Sequence, residues 1–505
     1  MAKILTIYSS EAKIGKTTLA VNLGVSLIHE TQKTVILVDL SSADDGGPAW
    51  SMLKFPGAKL FQGREILGEG FSDYIQYHSS QLAVLTIDSE IIHKETSSKA
   101  FVIALFDQLR RHFDYILVDI STHLNRMAYE VIDESDVFIM VVSSPDYEQP
   151  IGIIGHHNTR IVINMPDESK TGRLTGHQPG LYVVPCDTGT VENFRRSGIP
   201  FVIQAPYRPL SQVIGRLARD IGEKRFGIAL TGGVALGLSQ LGILEVLEQN
   251  RIAIDMLTGV SFGALLGAAY ATGLELRQIK QRVIDWAQSC RHLPTFGLRR
   301  LFQQAFYKET KLQQLCDLLL KDVYFEELLI PVNVVAIDIR TGEHVVFREG
   351  KVLDAIESSM RIPRLFAPFK QTERHLIDSS VIYPTPVYPL NNMGANVTVA
   401  VVVTPSPAES QRYVLQQSVE QGDAAQQATK ENYALVAATF DSLMERLTDT
   451  PDSPDNLKRV TPDIFIRPQI RGISWRDFHK VHELIDCGIA ATEAVIPELE
   501  KLKWG

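Results

Sequence analysis

The chain has 505 residues, of which 45% are hydrophobic, enough for two hydrophobic cores of ordinary size. Its 50 basic and 59 acidic residues are interspersed and give a formal net charge of -9, so the sequence lacks the basic tract expected of a nucleic-acid-binding protein. The four cysteines lie far apart, which argues against a zinc site or a disulfide framework and favours a reducing compartment.

Two segments of the sequence indicate whether the protein is secreted or spans a membrane. Residues 1–9 contain one lysine and a short apolar strand, without the regions of a secretory signal, so we expect a cytoplasmic protein. Residues 256–276 are apolar over about 20 residues, the length of a membrane span. Because Gly259, Ser261 and Gly263 divide this stretch into a strand, a turn and a helix, we predict no span there.

The first part of the chain, up to about residue 223, alternates short apolar strands with amphipathic helices. This alternation is typical of a doubly wound parallel sheet, and the β-branched composition of the strands suits a sheet covered by helices on both faces. The predicted strands comprise residues 4–8, 35–39, 115–119, 137–142, 160–164 and 181–185.

A strand, a tight loop and a helix in residues 4–27 predict a phosphate-binding site. Backbone amides of such a loop and the dipole of the following helix face an anion. Lys16 is suited to the outer phosphates, and the Thr17 hydroxyl is suited to Mg²⁺. The carboxylates that end two later strands would complete the metal site. The predicted nucleotide-binding residues are Gly15, Lys16, Thr17, Thr18, Asp39 and Asp119, with Thr17, Asp39 and Asp119 as the Mg²⁺ ligands.

Residues 113–119, ending in Asp119, resemble the Walker B strand of the ParA/MinD ATPases, and residues 182–187 and 204–206 resemble later segments of that family. The resemblance covers residues 1–223 and implies a P-loop domain that binds ATP with Mg²⁺. Ser10 stands where the standard P-loop has its first glycine. The family pattern begins Lys-Gly-Gly, where this chain has Glu11, Ala12 and Lys13, so Glu11 replaces the second, signature lysine. In that family the lysine reaches the phosphates of a dimer partner, which Glu11 would repel.

The metal-binding strand end is also altered, because it reads Asp39-Leu40-Ser41 instead of the family's Asp-x-Asp. Three interpretations of the N-terminal site therefore stay open. The fold could be a platform with weak or no nucleotide binding, it could bind nucleotide without efficient hydrolysis, or it could couple ATP hydrolysis to dimer formation. The departures disfavour the third.

A second series of strands and helices follows, and it places a domain boundary between residues 223 and 224. A polar, Gln- and Ala-rich segment predicts a surface helix at about residues 411–447, and the chain ends in a helix predicted over residues 474–503, with Ser474 as its N-cap. The predicted strands of residues 224–505 comprise residues 226–231, 255–260, 331–337, 376–378, 397–403 and 463–467.

Three segments of this second domain carry candidate catalytic groups. The run Gly259-Val260-Ser261-Phe262-Gly263 joins a strand to a helix, as a nucleophile elbow does, and its glycines permit a sharp turn that exposes the serine hydroxyl. The loop that contains Gly232, Gly233 and Val234 follows another strand and opens a helix, so its amides could stabilise an oxyanion. Asp378 lies at a strand end.

Together these segments resemble the patatin-like phospholipases, whose pattern runs Gly-Gly-Gly-x-Arg-Gly, Gly-x-Ser-x-Gly and then Asp-Gly-Gly or Asp-Gly-Ala. The resemblance implies an α/β hydrolase domain in which Ser261 is the nucleophile and Asp378 its base, without a histidine or a cofactor. Val234 and Leu236 replace the third glycine and the arginine of the loop, and serines follow Asp378. The absence of this arginine removes a positive charge that could bind a lipid phosphate. It therefore weakens the case for phospholipid specificity more than the case for ester hydrolysis.

The predicted fold class is therefore α/β with two domains, a P-loop NTPase-like parallel sheet in residues 1–223 and a patatin-like hydrolase in residues 224–505. The expected partners are a lipid or another acyl ester, with peripheral contact at the inner face of a membrane. The sequence leaves open a homo-oligomer. The alternative is a nucleotide-sensing or scaffolding protein with an inactive hydrolase fold, against which the retention of Ser261 and Asp378 argues.

Overall fold

The computed structural model describes residues 2–40, 49–62, 71–88, 98–143, 158–164, 180–290, 311–362, 367–380, 385–403 and 461–504. The chain divides into two compact units, Met1–Lys224 and Arg225–Gly505. The helix predicted at about residues 411–447 lies outside the described residues.

The N-terminal unit is an open sheet with helices in most of its connections. Its described elements are β1 (Lys3–Tyr8), α1 (Lys16–Thr31), β2 (Val35–Leu40), α2 (Ala49–Met52), β3 (Leu60–Phe61), a 3₁₀ helix (Phe71–Tyr74), β4 (Gln76–Tyr77), β5 (Ala83–Ile87), α3 (Ser98–Leu109), β6 (Tyr115–Ile120), α4 (Arg126–Asp133), β7 (Val137–Val142), β8 (Thr159–Asn164), β9 (Leu181–Val184), α5 (Thr188–Ser197), α6 (Phe201–Gln204) and α7 (Pro209–Ile221).

Its strands are ordered β3-β5-β2-β6-β1-β7-β8-β9, all parallel, with β4 antiparallel to β5 at one side. The predicted parallel sheet is confirmed. Strands β3, β4 and β5 were not predicted from the sequence. Two of these strands have only two residues each, too few for any periodicity to show.

Both faces of this sheet are buried, as its doubly apolar strands predict. In β1, Leu5 and Ile7 belong to one hydrophobic cluster, which includes residues of α1 and α7. Ile4 and Tyr8 belong to the cluster on the opposite face, with residues of α3 and α4. Successive side chains of a strand point to opposite faces, so a central strand with apolar residues throughout requires cover on both sides.

The C-terminal unit is built on a mixed sheet. Its described elements are β10 (Phe226–Leu230), a 3₁₀ helix (Val234–Ser239), α8 (Gln240–Gln249), β11 (Met256–Gly259), α9 (Ser261–Ala271), α10 (Leu276–Ser289), α11 (Lys311–Leu319), a 3₁₀ helix (Phe325–Glu327), β12 (Val332–Asp338), β13 (His344–Phe347), α12 (Val352–Ser359), β14 (Phe369–Gln371), β15 (Arg374–Asp378), α13 (Tyr388–Asn392), β16 (Val397–Val401), β17 (Ile464–Ile466), a 3₁₀ helix (Phe478–Lys480), α14 (Val481–Glu493) and α15 (Ile496–Trp504).

The strand order is β14-β15-β12-β11-β10-β16-β17, and β13 also pairs with β12. Strands β12, β11, β10, β16 and β17 are mutually parallel, whereas β13 and β15 run antiparallel to β12. One large hydrophobic cluster joins this sheet to helices that include α8, α9, α12 and α14. Two strands of this sheet were not predicted from the sequence: β13, which is antiparallel to β12, and β14, which is antiparallel to β15.

The helix predicted over residues 474–503 is interrupted, so that part of the prediction is wrong. Ser474 does not begin a helix, because residues 475 and 476 form a turn and the next helical residue is Phe478. Helix α14 begins at Val481 and ends at Glu493, and α15 begins at Ile496. Pro497 lacks an amide hydrogen and favours a new helix start over continuation of the first one.

The apolar stretch at residues 256–276 contains β11 and α9, in accord with the predicted division into a strand, a turn and a helix. Among the helices described here, none combines the length and the apolar character needed to cross a bilayer.

Helix α14 packs on α8 at a distance that only glycine permits. A methyl group added to Gly488 would lie 1.9 Å from the Ser239 carbonyl oxygen, and one added to Gly242 would lie 2.1 Å from the Ile485 carbonyl oxygen. Both obstacles are backbone atoms, which no rotamer change can move. The contact therefore fixes the C-terminal helix against the segment that precedes α8.

We expect Gly488→Ala to destabilise the C-terminal unit by about 1–3 kcal/mol through overpacking. Gly267→Ala is the matched control, because Gly267 is also inside a helix but a methyl group there would meet only side-chain atoms, Leu230 Cδ1 at 3.2 Å and Leu257 Cδ2 at 3.8 Å. There the better helix propensity of alanine, about 1 kcal/mol, should prevail. Urea unfolding followed by fluorescence of Trp286, Trp475 and Trp504 measures both, and equal midpoints for the two variants would contradict the prediction.

Candidate functional site

The register of the C-terminal sheet brings the ends of β11 and β15 together. Gly259 of β11 pairs with Val334 of β12, and Asp378 of β15 pairs with Ala336. Both Val334 and Ala336 also pair with β13, which occupies the other edge of β12. Strands β11 and β15 therefore share one edge of β12 and meet end to end, so that the turn after Gly259 arrives beside Asp378.

Ser261 stands in that turn in a strained conformation. Val260 is extended, Ser261 has a φ of 54°, in the left-handed region, and α9 begins there. Such a conformation costs a residue other than glycine about 1–3 kcal/mol and concentrates at functional sites. The Ser261 side chain is buried. The predicted nucleophile elbow thus has the backbone geometry that its glycines suggested.

Both predicted elbow glycines are sites of close backbone contact. A methyl group on Gly259 would lie 2.4 Å from Ala264 Cα, and one on Gly263 would lie 2.5 Å from the Thr231 carbonyl oxygen. The turn and the loop before the 3₁₀ helix therefore pack directly on each other.

The loop with Gly232, Gly233 and Val234 lies against Ser261. A methyl group on Gly232 would be 3.0 Å from Ser261 Cβ and 3.1 Å from Ser380 Oγ. Within the described part of the chain, the amides of these three loop residues donate to no backbone acceptor. The loop thus places available donors next to the serine, as an oxyanion site requires.

Val234 takes the conformation of the glycine that it replaces. Its φ is 54°, which is unusual for a β-branched residue and costs about 1–2 kcal/mol. Its side chain is buried in the main hydrophobic cluster of the unit, which offsets this cost. The next amide, that of Ala235, donates to the Trp475 carbonyl at 3.1 Å and holds the loop from the other side.

Asp378 is buried at the end of β15, and the Ser261 side chain lies close enough to its carboxyl group to affect the carboxyl pKa. It also accepts the amide of Ser380 at 2.8 Å and the Ser380 hydroxyl. Burial raises the pKa of the Asp378 carboxyl, and the hydrogen bonds from Ser380 and Ser261 oppose this shift. The strand register and the pKa shift together place the serine beside the carboxylate, although 117 positions separate them in the sequence.

Two hydroxyl groups that the sequence analysis did not single out also belong to this site. Ser380, which follows Asp378 where the family pattern has a small residue, bonds to the carboxylate. Ser359, at the end of α12, accepts the amide of Ser261 at 2.8 Å. Each is one of two adjacent serines, and sequence alone does not reveal which serine of such a pair faces the site.

The predicted phosphate site lies at the carboxyl ends of three neighbouring strands. Ile7 of β1 and Asp39 of β2 both pair with Asp119 of β6. The Thr17 hydroxyl donates to Asp119 Oδ2 at 2.5 Å, and Lys16 Nζ donates to the Ile120 carbonyl at 2.8 Å. The structure therefore brings Lys16, Thr17, Asp39 and Asp119 to one edge of the sheet.

The remaining residues of this loop have distinct surroundings. Gly15 has a φ of 96° and precedes α1, where the first amides of the helix need external acceptors. The Thr18 hydroxyl points to Met52 Sδ at 3.9 Å, and Asp39 Oδ2 accepts the amide of Ala49 at 2.7 Å. The oxygen atoms of Thr17 and Asp119 form a donor set suited to Mg²⁺, and the helix start suits a phosphate, so these residues fit the predicted group.

The departures from the ATPase pattern have visible structural outcomes. Glu11 is held within its own unit, where its carboxylate accepts the Ser143 hydroxyl at 2.6 Å and the Ser143 amide at 3.1 Å. Lys13 takes a φ of 60°, the left-handed conformation that favours the glycine it replaces. Ser41 lies outside the described residues.

Comparisons with known proteins identify both domains. Residues 228–391 match the family model for patatin-like phospholipases, and residues 2–153 match one described as an AAA domain. These matches confirm both resemblances, so the chain joins a ParA/MinD-like P-loop domain to a patatin domain.

Curated relatives align with the C-terminal part. An uncharacterized NTE family protein of Mycobacterium tuberculosis is 28% identical over 195 residues, which are 38% of this chain and 52% of that protein. The patatin-like phospholipase domain-containing protein 6 of Mus musculus is 28% identical over 196 residues, 37% of this chain and 14% of that protein. The match thus spans about half the length of this mycobacterial protein, and only 31% of a second NTE family protein of the same species.

Solved structures align with the N-terminal part. The MinC:MinD cell division protein complex of Aquifex aeolicus has a TM-score of 0.37 at 18% identity, covering 44% of this chain and 96% of that one. The ParA family ATPase of Chlorobium tepidum has a TM-score of 0.34 at 18% identity, covering 43% of this chain and 97% of that one.

We expect Asp378→Asn to stabilise the C-terminal unit relative to the wild type increasingly as the pH rises. A carboxyl whose pKa is raised by folding binds more protons in the folded state, so the wild type loses stability between the ordinary pKa of about 3.9 and the folded-state value. Asparagine does not titrate and still offers an acceptor to the Ser380 amide.

The free energy of unfolding by urea, measured from about pH 4 to about pH 9, tests this linkage. The difference between variant and wild type should grow through the pH window above about 3.9 and then become constant. A difference that shrinks with pH, or does not change, would contradict a raised pKa at Asp378.

Proposed function

We propose that the C-terminal unit is a serine hydrolase that cleaves carboxylic esters of lipids. The observation that carries the proposal is the contact between the strained Ser261 and the buried Asp378, beside the loop of Gly232. The patatin match and the NTE-family relatives support a lipid acyl ester as the substrate class.

In this mechanism Ser261 Oγ attacks the ester carbonyl carbon while Asp378 accepts the hydroxyl proton. The tetrahedral intermediate then releases the alcohol, which takes the proton back from Asp378 and leaves an acyl-serine. A water molecule, deprotonated by the same carboxylate, then attacks the acyl-serine. The acyl–Oγ bond breaks, the carboxylic acid leaves, and Asp378 returns the proton to Ser261 Oγ. A carboxylate with an elevated pKa is a stronger base than one in water, so burial serves both steps.

The negative charge on the carbonyl oxygen needs donors that are in place before the reaction. We assign this role to the amides of Gly232, Gly233 and Val234, because this loop touches the nucleophile. One such donor contributes about 3 kcal/mol to transition-state stabilisation in a serine hydrolase. The left-handed conformation of Val234 keeps the loop shape despite the lost glycine.

The loop residue Leu236 indicates which part of a lipid substrate the site recognises. It is buried in the hydrophobic cluster, where the resemblance has an arginine. This position supplies no positive charge for a lipid phosphate, so we propose that the acyl ester, rather than an anionic headgroup, is what the site recognises. Access to lipid esters implies peripheral contact with a membrane or a micelle.

For the N-terminal unit we propose ATP binding with Mg²⁺ and a role in gating or localising the hydrolase. Thr17 and Asp119 would hold the metal, and Lys16 with the first amides of α1 would hold the phosphates. The metal would neutralise phosphate charge in this site. Because Glu11 is bonded to Ser143 of its own unit, we propose that binding does not depend on a lysine from a second copy.

We expect Ser261→Ala to reduce hydrolysis of a chromogenic short-chain ester to the background rate, and Asp378→Asn to reduce it by about 10²–10⁴-fold, the usual contribution of a general base. Asp338→Asn is the matched control, since Asp338 is also a buried aspartate, on β12, whose carboxylate accepts the amides of Arg340 and His375. It should keep most of the activity.

Equal rates for the wild type and Ser261→Ala would remove the hydrolase proposal and favour the scaffolding alternative. The same assay with a neutral ester and with phospholipid vesicles distinguishes the two substrate classes. Covalent labelling by a fluorophosphonate, followed by peptide mapping, should identify Ser261 as the modified residue.

We expect Lys16→Ala to weaken ATP binding by about 10–100-fold, the equivalent of a charge-assisted hydrogen bond. Lys33→Ala is the control, because Lys33 precedes β2 and lies at the amino ends of the strands, opposite the predicted site. Isothermal calorimetry with ATP and Mg²⁺ measures both variants. Nucleotide binding at this loop would be contradicted if the wild type gave no ATP signal, or if Lys16→Ala left the signal unchanged.

A further inference from the structure

Ser359 links the nucleophile to the central strand of the sheet through a single hydroxyl group. It is the last residue of α12 and is fully buried. Its Oγ donates to the Val335 carbonyl of β12 at 2.6 Å and accepts the backbone amide of Ser261 at 2.8 Å. A hydroxyl has one proton, so the bond to Val335 leaves its lone pairs free to accept from Ser261.

This contact falls on the residue of the turn that most needs support. Ser261 has a φ of 54°, which the chain maintains only if its surroundings hold it there. Its amide is also the first of α9 and has no acceptor within that helix. The Ser359 hydroxyl meets both needs, because it satisfies a buried donor and fixes the orientation of the peptide that leads into Ser261.

The same short segment also holds the base. The amide of Asp378 donates to the Arg361 carbonyl at 3.0 Å. Ser379, the next residue, donates through its hydroxyl to the Val335 carbonyl at 3.3 Å, the oxygen that Ser359 uses. Residues 359–361 and the carbonyl of Val335 therefore hold the backbone at Ser261 and also the backbone at Asp378.

We propose that Ser359 is a positioning residue of the hydrolase, which sets the Ser261 hydroxyl at hydrogen-bonding distance from Asp378 by holding the Ser261 amide. The inference rests on the proposed function. Ser359 does not touch the reacting atoms; it acts through the backbone of the nucleophile. Without its hydroxyl, the turn can rotate toward an ordinary conformation and the Ser261 hydroxyl moves away from the carboxylate.

The test compares Ser359→Ala with Ser359→Thr and with Ser358→Ala. Ser358 is an almost equally buried neighbour on α12, but its hydroxyl donates to the Asp354 carbonyl within the helix, so Ser358→Ala removes the same atoms without touching the site. Misplacing a reacting group by about 1 Å costs on the order of 10²-fold in rate. We expect Ser359→Ala to lower kcat by about 10–100-fold with KM little changed, Ser358→Ala to keep kcat, and Ser359→Thr to recover part of the loss.

Hydrogen–deuterium exchange at the Ser261 amide gives a readout that needs no activity. We expect Ser359→Ala to accelerate exchange there at least tenfold more than Ser358→Ala does, about what the loss of one hydrogen bond of ordinary strength allows. Equal kcat and equal exchange at residue 261 for the two alanine variants would overturn the positioning role. The positioning role would also be overturned if Ser359→Ala and Ser358→Ala lost the same thermal stability and the lower kcat of Ser359→Ala were explained by that loss.

The two proposals can fail separately. If Ser261→Ala is as active as the wild type, the hydrolase proposal fails, and the exchange measurement alone decides whether Ser359 holds the turn. If hydrolysis depends on Ser261 but Ser359→Ala keeps the wild-type kcat, the positioning role fails and the hydrolase proposal stands.

Discussion

Strand β12 is the constraint on which the C-terminal site depends. One of its edges carries β13, and the other is shared by β11 and β15, which approach from opposite directions and end against each other. Because backbone pairing fixes this register, the turn that follows β11 must arrive beside the carboxylate that ends β15. The proximity of Ser261 to Asp378 is thus a consequence of the sheet topology.

The site also stores strain in its backbone. Ser261 and Val234 both have a φ of 54°, and the two residues belong to loops that touch through Gly232. Conformations of this kind persist only where the surroundings determine them. Here those surroundings are a buried hydroxyl at Ser359, the carbonyl of Trp475, and the hydrophobic packing of Val234. The C-terminal helix α14, docked on α8 through Gly488, belongs to the same support.

The N-terminal unit follows the same rule of placement with different chemistry. Its polar residues gather where the parallel strands end, since Asp39 and Asp119 are paired in register and Thr17 reaches one of them. The altered loop is accommodated locally. The exposed Glu11 accepts hydrogen bonds from the hydroxyl and the amide of Ser143, and Lys13 adopts a glycine conformation. The loop therefore keeps its form although the signature lysine is absent.

The sequence by itself determined the two-domain α/β order and the central strands, and it predicted an elbow at Ser261, a phosphate loop at Lys16 and a base at Asp378. These features are local, because they depend on alternating apolar residues, on glycines at fixed spacing and on polar residues at strand ends. Where the local pattern was weak, as in the two-residue strands β3 and β4, or misleading, as at Ser474, prediction failed.

Only the tertiary structure decided the rest. The end-to-end meeting of β11 and β15, the burial that raises the pKa of Asp378, the attachment of Ser359 to the Ser261 amide and the bond of Glu11 to Ser143 all join residues far apart in sequence. No periodicity within a segment encodes which edge of β12 a distant strand will occupy or which of two adjacent serines will face inward. Those choices are made when the strands pair and the core closes, because backbone register and packing then leave one arrangement for each side chain.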